Sequence, residues 1–325
     1  MKKLSSYQLH DTVIASKSWV LYKAVSSLNE EQVLIKIIPN KVDPQSKAEL
    51  IHEYYTLSDS ELYGVLKPVA LEKSKEQPYV VMEYFEGQPL TEWLRNNQIF
   101  DISTFLKIAI KLTTILGSIH QNNIIHKSIQ PDHILYDPDS DHLKLTGFHQ
   151  STMLTKEMPQ ADITPYQIEK VGYVSPEQTG RMNRPIDYRS DLYSLGILFY
   201  QIATGRVPFQ AKDPVEVIHA HLAQAALHPN EVNPTIPEII SNIIMKLLAK
   251  MPEQRYQSTY GLKKDLEKCS HAFYSNNHLG LFSLGEHDAS PMLEKPNKLY
   301  GRDRELEKLI SKFEHVQHGK PALVL

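Results

Sequence analysis

The first hundred residues alternate short apolar runs with helical spacing. Val33 to Ile38 is apolar and rich in β-branched residues, and Pro39-Asn40 closes it, which predicts a short buried strand. Lys47 to Leu57 carries helical spacing, and Tyr79 to Tyr84 predicts a second buried strand ended by Glu86-Gly87. From Asp101 the period lengthens. Ile102, Phe105, Leu106, Ala109, Leu112, Leu116 and Ile119 fall on one helical face, with Asp101 or Ser103 as the cap. Leu192, Leu195, Leu198, Phe199 and Ile202 repeat the pattern between Ser190 and Thr204, and Gly205 stands where a helix stop is expected. Pro237 opens a third helix through Ile239, Ile240, Ile243, Ile244, Leu247 and Leu248, and Leu262 and Leu266 belong to a fourth. A strand-rich half followed by a larger helical half predicts an α+β arrangement.

Beyond about His271 the chain turns richer in Gly, Pro, Ser and Asn as far as Lys298, which predicts a linker. Tyr300-Gly301-Arg302 then opens a further element. Leu306, Leu309, Ile310 and Phe313 follow at helical spacing, and Ala322 to Leu325 reads as the start of a buried strand. Composition adds little but excludes much. The 325 residues are 41% hydrophobic and 22% charged, ordinary for a globular chain and enough for two lobes. A net charge of -3 gives no strong field toward nucleic acid, so no nucleic-acid partner is expected. The single cysteine, Cys269, builds no disulfide framework, which fits a reducing compartment. Met1-Lys2-Lys3 leads into no apolar signal region, and no apolar run approaches the ~20 residues that span a bilayer. The expectation is a cytoplasmic chain without a membrane span.

The candidate chemistry lies in a series of short runs. Leu34-Ile35-Lys36 ends a strand, and Glu53 lies on the helix after it. Val80-Val81-Met82-Glu83-Tyr84-Phe85-Glu86-Gly87 follows, then His126-Lys127-Ser128-Ile129-Gln130-Pro131-Asp132-His133-Ile134-Leu135. Leu143 to His149 contains Thr146-Gly147-Phe148, and Val174-Ser175-Pro176-Glu177 precedes Asp191-Leu192-Tyr193-Ser194-Leu195-Gly196 and Pro252-Glu253-Gln254-Arg255. In order and spacing these runs resemble the protein-kinase family, over roughly residues 7 to 272. The resemblance implies a bilobal protein-kinase fold, with a β-rich N-lobe and hinge over 1–86 and a helical C-lobe over 87–272. A linker over 273–298 would follow.

It also assigns roles. Lys36 would face nucleotide phosphates and pair with Glu53, Met82 would be the gatekeeper, and the backbones of Glu83 and Phe85 would face adenine. His126, Phe148, Glu177, Asp191 and Arg255 would support the fold, with Arg255 paired to Glu177. A narrower resemblance lies in Ser175-Pro176-Glu177-Gln178-Thr179-Gly180-Arg181-Met182-Asn183-Arg184, in Phe282 to Ser290 and in Leu299-Tyr300-Gly301-Arg302. These are similar to a bacterial subgroup in which a kinase-like domain precedes an AAA-type ATPase, a GAF domain and a sensor histidine kinase. Residues 299–325 would then start an ATPase module, without a G-x-x-x-x-G-K-[ST] Walker A.

The residues at the catalytic positions depart from the kinase pattern. Phosphoryl transfer needs an aspartate to accept the hydroxyl proton, and an Asp and an Asn to hold the metal ions. The resemblance places Ser128 at the base position, Gln130 at the loop lysine, His133 at the loop Asn and Gly147 at the metal-binding Asp. A serine hydroxyl is not a general base at neutral pH, and Mg²⁺ prefers oxygen ligands to imidazole. Thr146 is the neighbouring hydroxyl and would be a weak ligand. Asp11 to Lys23, the expected phosphate-covering stretch, has no glycine and contains Trp19.

The expected function is therefore a pseudokinase, a regulatory or sensory binding module in bacterial signal transduction. Its partners would be downstream signalling domains or a partner protein. ATP would bind weakly and without metal, and no Mg²⁺ site is expected. The alternative is an active atypical serine/threonine kinase that transfers the ATP γ-phosphate to protein hydroxyls. Lys36–Glu53 has two readings, a nucleotide grip or an ion pair that orders the N-lobe helix. Arg181, Arg184 and Arg189 could meet an acidic partner or make local salt bridges. Ser151, Thr152, Thr155, Thr164 and Tyr166 are candidate phosphosites on a solvated loop.

Overall fold

A computed structural model describes residues 3–289, apart from 5, 17–18, 39–43, 74–77, 98–99, 154–170 and 277–278. The strand end at Pro39-Asn40, the candidate phosphosites Thr155, Thr164 and Tyr166, and the proposed ATPase start over 299–325 lie outside the described residues.

The N-terminal half is a six-stranded antiparallel sheet in the order β1-β2-β3-β4-β6-β5. The strands are β1 (Lys3–Leu4), β2 (Tyr7–Ala15), β3 (Val20–Ser26), β4 (Gln32–Ile37), β5 (Pro68–Glu72) and β6 (Tyr79–Met82). The twofold side-chain period divides β4 between two faces. Ile35 and Ile37 join Leu9, Tyr79 and Val81 on one side. Leu34 joins Leu21, Val80 and Met82 on the other, and the alternation turns Lys36 to that same side. Pairing of Lys36 with Val80 and of Leu34 with Met82 fixes this register. Helix α1 (Pro44–Leu57) buries Leu50, Glu53 and Leu57, one face at i, i+3 and i+7.

The C-terminal half is helical, with small hairpins at its upper edge. Among the described residues its helices are α2 (Leu90–Asn96), α3 (Ile102–Gln121), α4 (Tyr188–Thr204), α5 (Pro214–Ala223), α6 (Pro229–Val232), α7 (Glu238–Leu247) and α8 (Thr259–Asn276). Strands β7 (Gln88–Pro89), β9 (Ile134–Asp137) and β10 (His142–Leu145) form one sheet, and β8 (Ile124–Ile125) pairs with β11 (Thr152–Met153). The Asp101 carboxylate accepts the Thr104 N–H at 2.7 Å, so the expected cap forms. Gly205 ends α4 at φ +76°, its N–H donating to the Gln201 carbonyl.

Phe105, Leu116, Leu192, Phe199, Ile243 and Leu262 share the principal core. Backbone bonds are among those that join the halves beside the cleft. Leu145 N–H donates to the Gly64 carbonyl at 2.8 Å, and Leu66 N–H donates to Leu145 at 2.9 Å.

One expectation changes. Residues 279–289 belong to the same compact unit as the rest of the described chain, not to a linker beginning at 273. Leu279, Phe282 and Leu284 pack on the core, and Asp288 accepts from Gln257 N–H at 2.7 Å and Ser258 Oγ at 2.8 Å. The polar composition masked these few anchors. By length and composition alone α3 could cross a membrane, with mean hydropathy 1.5 over its most apolar window. Lys107 and Lys111 break its apolar run in sequence, and half of its apolar window is buried inside the fold.

Candidate functional site

Asp191, fully buried on α4, holds the loop after β8 by its backbone. Its carboxylate accepts the His126 N–H at 2.8 Å, the Lys127 N–H at 2.7 Å and His120 Nε2 at 3.0 Å. Burial pushes this carboxyl up, but its hydrogen bonds and the neighbouring imidazoles hold it below the ordinary Asp range. Lys127 adopts φ +64°, a left-handed conformation costly for a residue with a Cβ. The Lys127 carbonyl is fixed from the far side by Gln178 Nε2 at 2.9 Å, so the strained turn is held at both ends.

His126 reaches the strand opposite. Its Nε2 bonds the Thr146 carbonyl at 3.1 Å, its Nδ1 accepts the Ser128 N–H at 3.2 Å, and its ring packs edge-on against Phe148 at 4.4 Å. These partners assign the tautomer, and burial pushes the imidazole pKa down.

Lower in the C-lobe, Glu177 and Arg255 form a buried bidentate pair at 2.7 and 2.8 Å. Ser190 Oγ donates to the same carboxylate, and the guanidinium also donates to the carbonyls of Ala249, Lys250 and Arg189. Desolvation would raise Glu177, yet Arg255 keeps it below the ordinary range. The sequence-identified support residues His126, Phe148, Glu177, Asp191 and Arg255 are all buried.

The cleft is where the sequence reading matters most. Lys36 Nζ meets Glu53 Oε2 at 2.5 Å, both side chains almost wholly buried. Glu53 Oε1 accepts the Gly147 N–H at 3.2 Å, so helix α1, strand β4 and the turn after β10 meet at one carboxylate. Burial drives this carboxyl up, and Lys36 more than offsets it. His133 stands across the turn, only 3% exposed. Its Nδ1 donates to the Ser128 carbonyl at 2.7 Å, and its Nε2 accepts from Gln130 Nε2 at 2.9 Å. Ser128 Oγ lies 3.2 Å from the same Nδ1. Burial, with His149 and His126 nearby, pushes His133 well below the ordinary histidine range, so the ring is neutral.

Gly147 adopts φ +88°, and a Cβ placed there would lie 2.5 Å from His133 Cγ and 2.6 Å from its Nδ1. The imidazole thus fills the space that a side chain at 147 would need.

The donor set does not fit Mg²⁺. Gly147 offers no side chain, His133 offers a ring already bonded at both nitrogens, and the Ser128 hydroxyl faces that ring. Among the described residues no group of three or more His, Cys, Asp or Glu is placed to hold a metal. Asp132 is exposed and accepts from Thr91.

At the hinge, Met82 is 1% exposed. The Glu83 N–H donates to the Lys67 carbonyl at 2.9 Å, and its carboxylate accepts from Lys67 N–H and from Lys144 Nζ. Phe85 packs on the cluster of Leu34, Met82 and Leu135. Arg184 pairs with Glu253 and Arg189 with Asp187, both at 2.8 Å, which are local salt bridges. Ser151, a candidate phosphosite, is buried, with its hydroxyl donating to Phe148 O.

The sequence reading missed two contributors. Gln178 bonds Lys127 from one end and Ser175 from the other, a role that no local pattern announces. Trp19, named only as a bulky residue in the phosphate-covering stretch, places its ring 4.0 Å from Lys36 Nζ. An aromatic side chain in a turn that favours small residues was the available signal.

The model of the Protein kinase domain matches residues 16–266. A hybrid signal transduction histidine kinase G from Dictyostelium discoideum is 32% identical, over 69% of this chain and 9% of that protein. A probable serine/threonine-protein kinase from Clostridium acetobutylicum is 27% identical, over 83% of this chain and 41% of its own length. The serine/threonine-protein kinase PrkC of Bacillus subtilis is 29% identical, over 76% of this chain and 38% of its own. The chain therefore spans less than half the length of each of these relatives. With that match over most of its length, and with an anchored loop, a hinge and two buried ion pairs in matching order, the chain belongs to the protein kinase family.

Proposed function

We propose that this kinase domain works as a pseudokinase, a regulatory binding module that passes a conformational signal to downstream domains or a partner protein. One observation carries the reading: the His133 ring occupies the space of a side chain at Gly147. Two positions that would share the metal have exchanged bulk, one gaining a ring and the other losing its side chain. Such an arrangement stabilises a packed turn and leaves no side-chain oxygen at positions 133 and 147 for a metal. Without metal or base, phosphoryl transfer lacks the groups that orient the acceptor hydroxyl and offset most of the developing charge. The likeness to a short part of a hybrid histidine kinase supports a module embedded in a longer signalling chain.

A second reading has its own support. The relatives from Clostridium and Bacillus bear the name serine/threonine-protein kinase, and by name they favour an active enzyme over a pseudokinase. In that reading the γ-phosphate of ATP goes to protein hydroxyls.

Incubation with labelled ATP and Mg²⁺ or Mn²⁺, alone and with generic protein substrates, separates the two. The pseudokinase reading expects no incorporation. Incorporation that disappears in Lys36→Ala would establish the active enzyme.

A further inference from the structure

Trp19 occupies an unusual position for a tryptophan at a hairpin turn. The turn between β2 and β3 is tied by Ser16, whose N–H and Oγ donate to the Trp19 carbonyl at 2.9 Å and whose Oγ accepts the Trp19 N–H at 3.0 Å. Trp19 is only 6% exposed. It lies over the Lys36 ammonium at 4.0 Å and leans on the His133 ring at 5.9 Å, with the planes 34° apart.

The ring thus joins an N-lobe lysine to a C-lobe loop, the two sides that a bound phosphate would bridge. Lys36 is left 2% exposed, enclosed between Glu53 and the indole. A cavity beside the ring, lined by Lys36, Glu49, Glu53 and His149 among others, has a volume of about 10 Å³, room for about one water. The π face supplies the negative electrostatic surface that a phosphate would otherwise offer the ammonium.

We propose that Trp19 is a latch. The chain places its own indole on Lys36 where a nucleotide phosphate would sit, and this closes the cleft between the lobes without a ligand. With the latch displaced, Lys36 faces solvent and accepts an anionic nucleotide without metal. The latch rests on the geometry around Lys36 and not on the absence of catalysis. Its test reads binding rather than turnover, so failure here leaves the pseudokinase reading standing, and the reverse.

The experiment measures ATP binding to the full chain in EDTA, by calorimetry. Trp19→Ala is expected to bind ATP at least tenfold more tightly than the parent, because the covering ring is gone. Trp19→Phe keeps an aromatic lid and should remain close to the parent. Adding Lys36→Ala to Trp19→Ala should abolish the gain. Equal or weaker ATP binding by a cooperatively melting Trp19→Ala chain, or no binding by either chain, overturns the latch.

A second measurement does not depend on that variant folding. The chain has two tryptophans, Trp19 and Trp93. In Trp93→Phe the emission of Trp19 should be blue-shifted and shielded from acrylamide, and saturating ATP should increase its quenching. A Trp19 as quenchable as free indole, or quenching unchanged by ATP, also overturns the proposal.

Discussion

Placing an aspartate at position 147 is the sharpest probe of how this cleft is packed. Gly147 sits at φ +88°, where a residue with a Cβ is strained by about 1 kcal/mol or somewhat more. The new Cβ would also fall 2.5 Å from His133 Cγ, well inside contact distance. His133 cannot simply swing away, because Ser128 and Gln130 hold its two nitrogens and Trp19 and His149 pack against its ring. Overpacking a buried site of this kind costs about 1–3 kcal/mol. Gly147→Asp should therefore lose roughly 2–4 kcal/mol of stability, the sum of strain and crowding.

His133→Asn removes the obstructing ring, and the double variant should recover part of the loss. The assay is equilibrium urea denaturation of the parent, both single variants and the double, read as a double-mutant cycle. A coupling of about 1 kcal/mol or more is expected for residues in direct contact. Two results would refute the reasoning: Gly147→Asp within about 0.5 kcal/mol of the parent, or strictly additive changes, since distant sites add within that margin.

Further outcomes follow from the same geometry. Ser128→Asp alone should give no phosphotransfer to labelled substrate, because position 147 still supplies no metal ligand; turnover by this single variant would show a more competent site than the residues suggest. Glu177→Ala and Arg255→Ala should each destabilise by about 3–5 kcal/mol in thermal or urea unfolding, since each leaves a buried charge unpaired; a loss below about 1 kcal/mol, the range of exposed pairs, would mean the pair is solvated. Stability should fall as pH drops through 6.5, the ordinary histidine value. His126 and His133 are held below it, and His221 is pushed down to about 3 by burial and Lys250. Below 6.5 the unfolded chain takes up protons that these buried rings refuse, at about 1.4 kcal/mol per pH unit for each group. The contribution is complete above that pH. Glu53, Glu177 and Asp191, held low in the folded chain, keep theirs until the ordinary carboxylate range. A urea midpoint unchanged between pH 7 and 5 would contradict the neutral, buried assignment of the histidines.

The amino-acid sequence by itself determined the order of the elements and the chemistry available at each position. Period-2 and period-3.6 spacing is a local property, so the strand at Val33 to Ile38 and the helices from Asp101 and Pro237 were legible, as were the caps at Asp101 and Gly205. The residue types at 128, 130, 133 and 147 were legible too, because a missing carboxylate needs no geometry to be noticed. What the tertiary structure decided are contacts between residues far apart in the chain. Lys36 alone could grip a ligand or a helix; its burial against Glu53 and under Trp19 selects the helix in this conformation. Gly147 and His133 read as two separate losses, and only their shared space makes them one packed unit. The polar stretch after His271 read as a linker because Phe282, Leu284 and Asp288 are few, and their value comes from the core and helix end they meet. Local patterns carry the backbone because short-range sterics and hydrogen bonding set it; burial and the partners of charged groups depend on chain segments that only folding brings together.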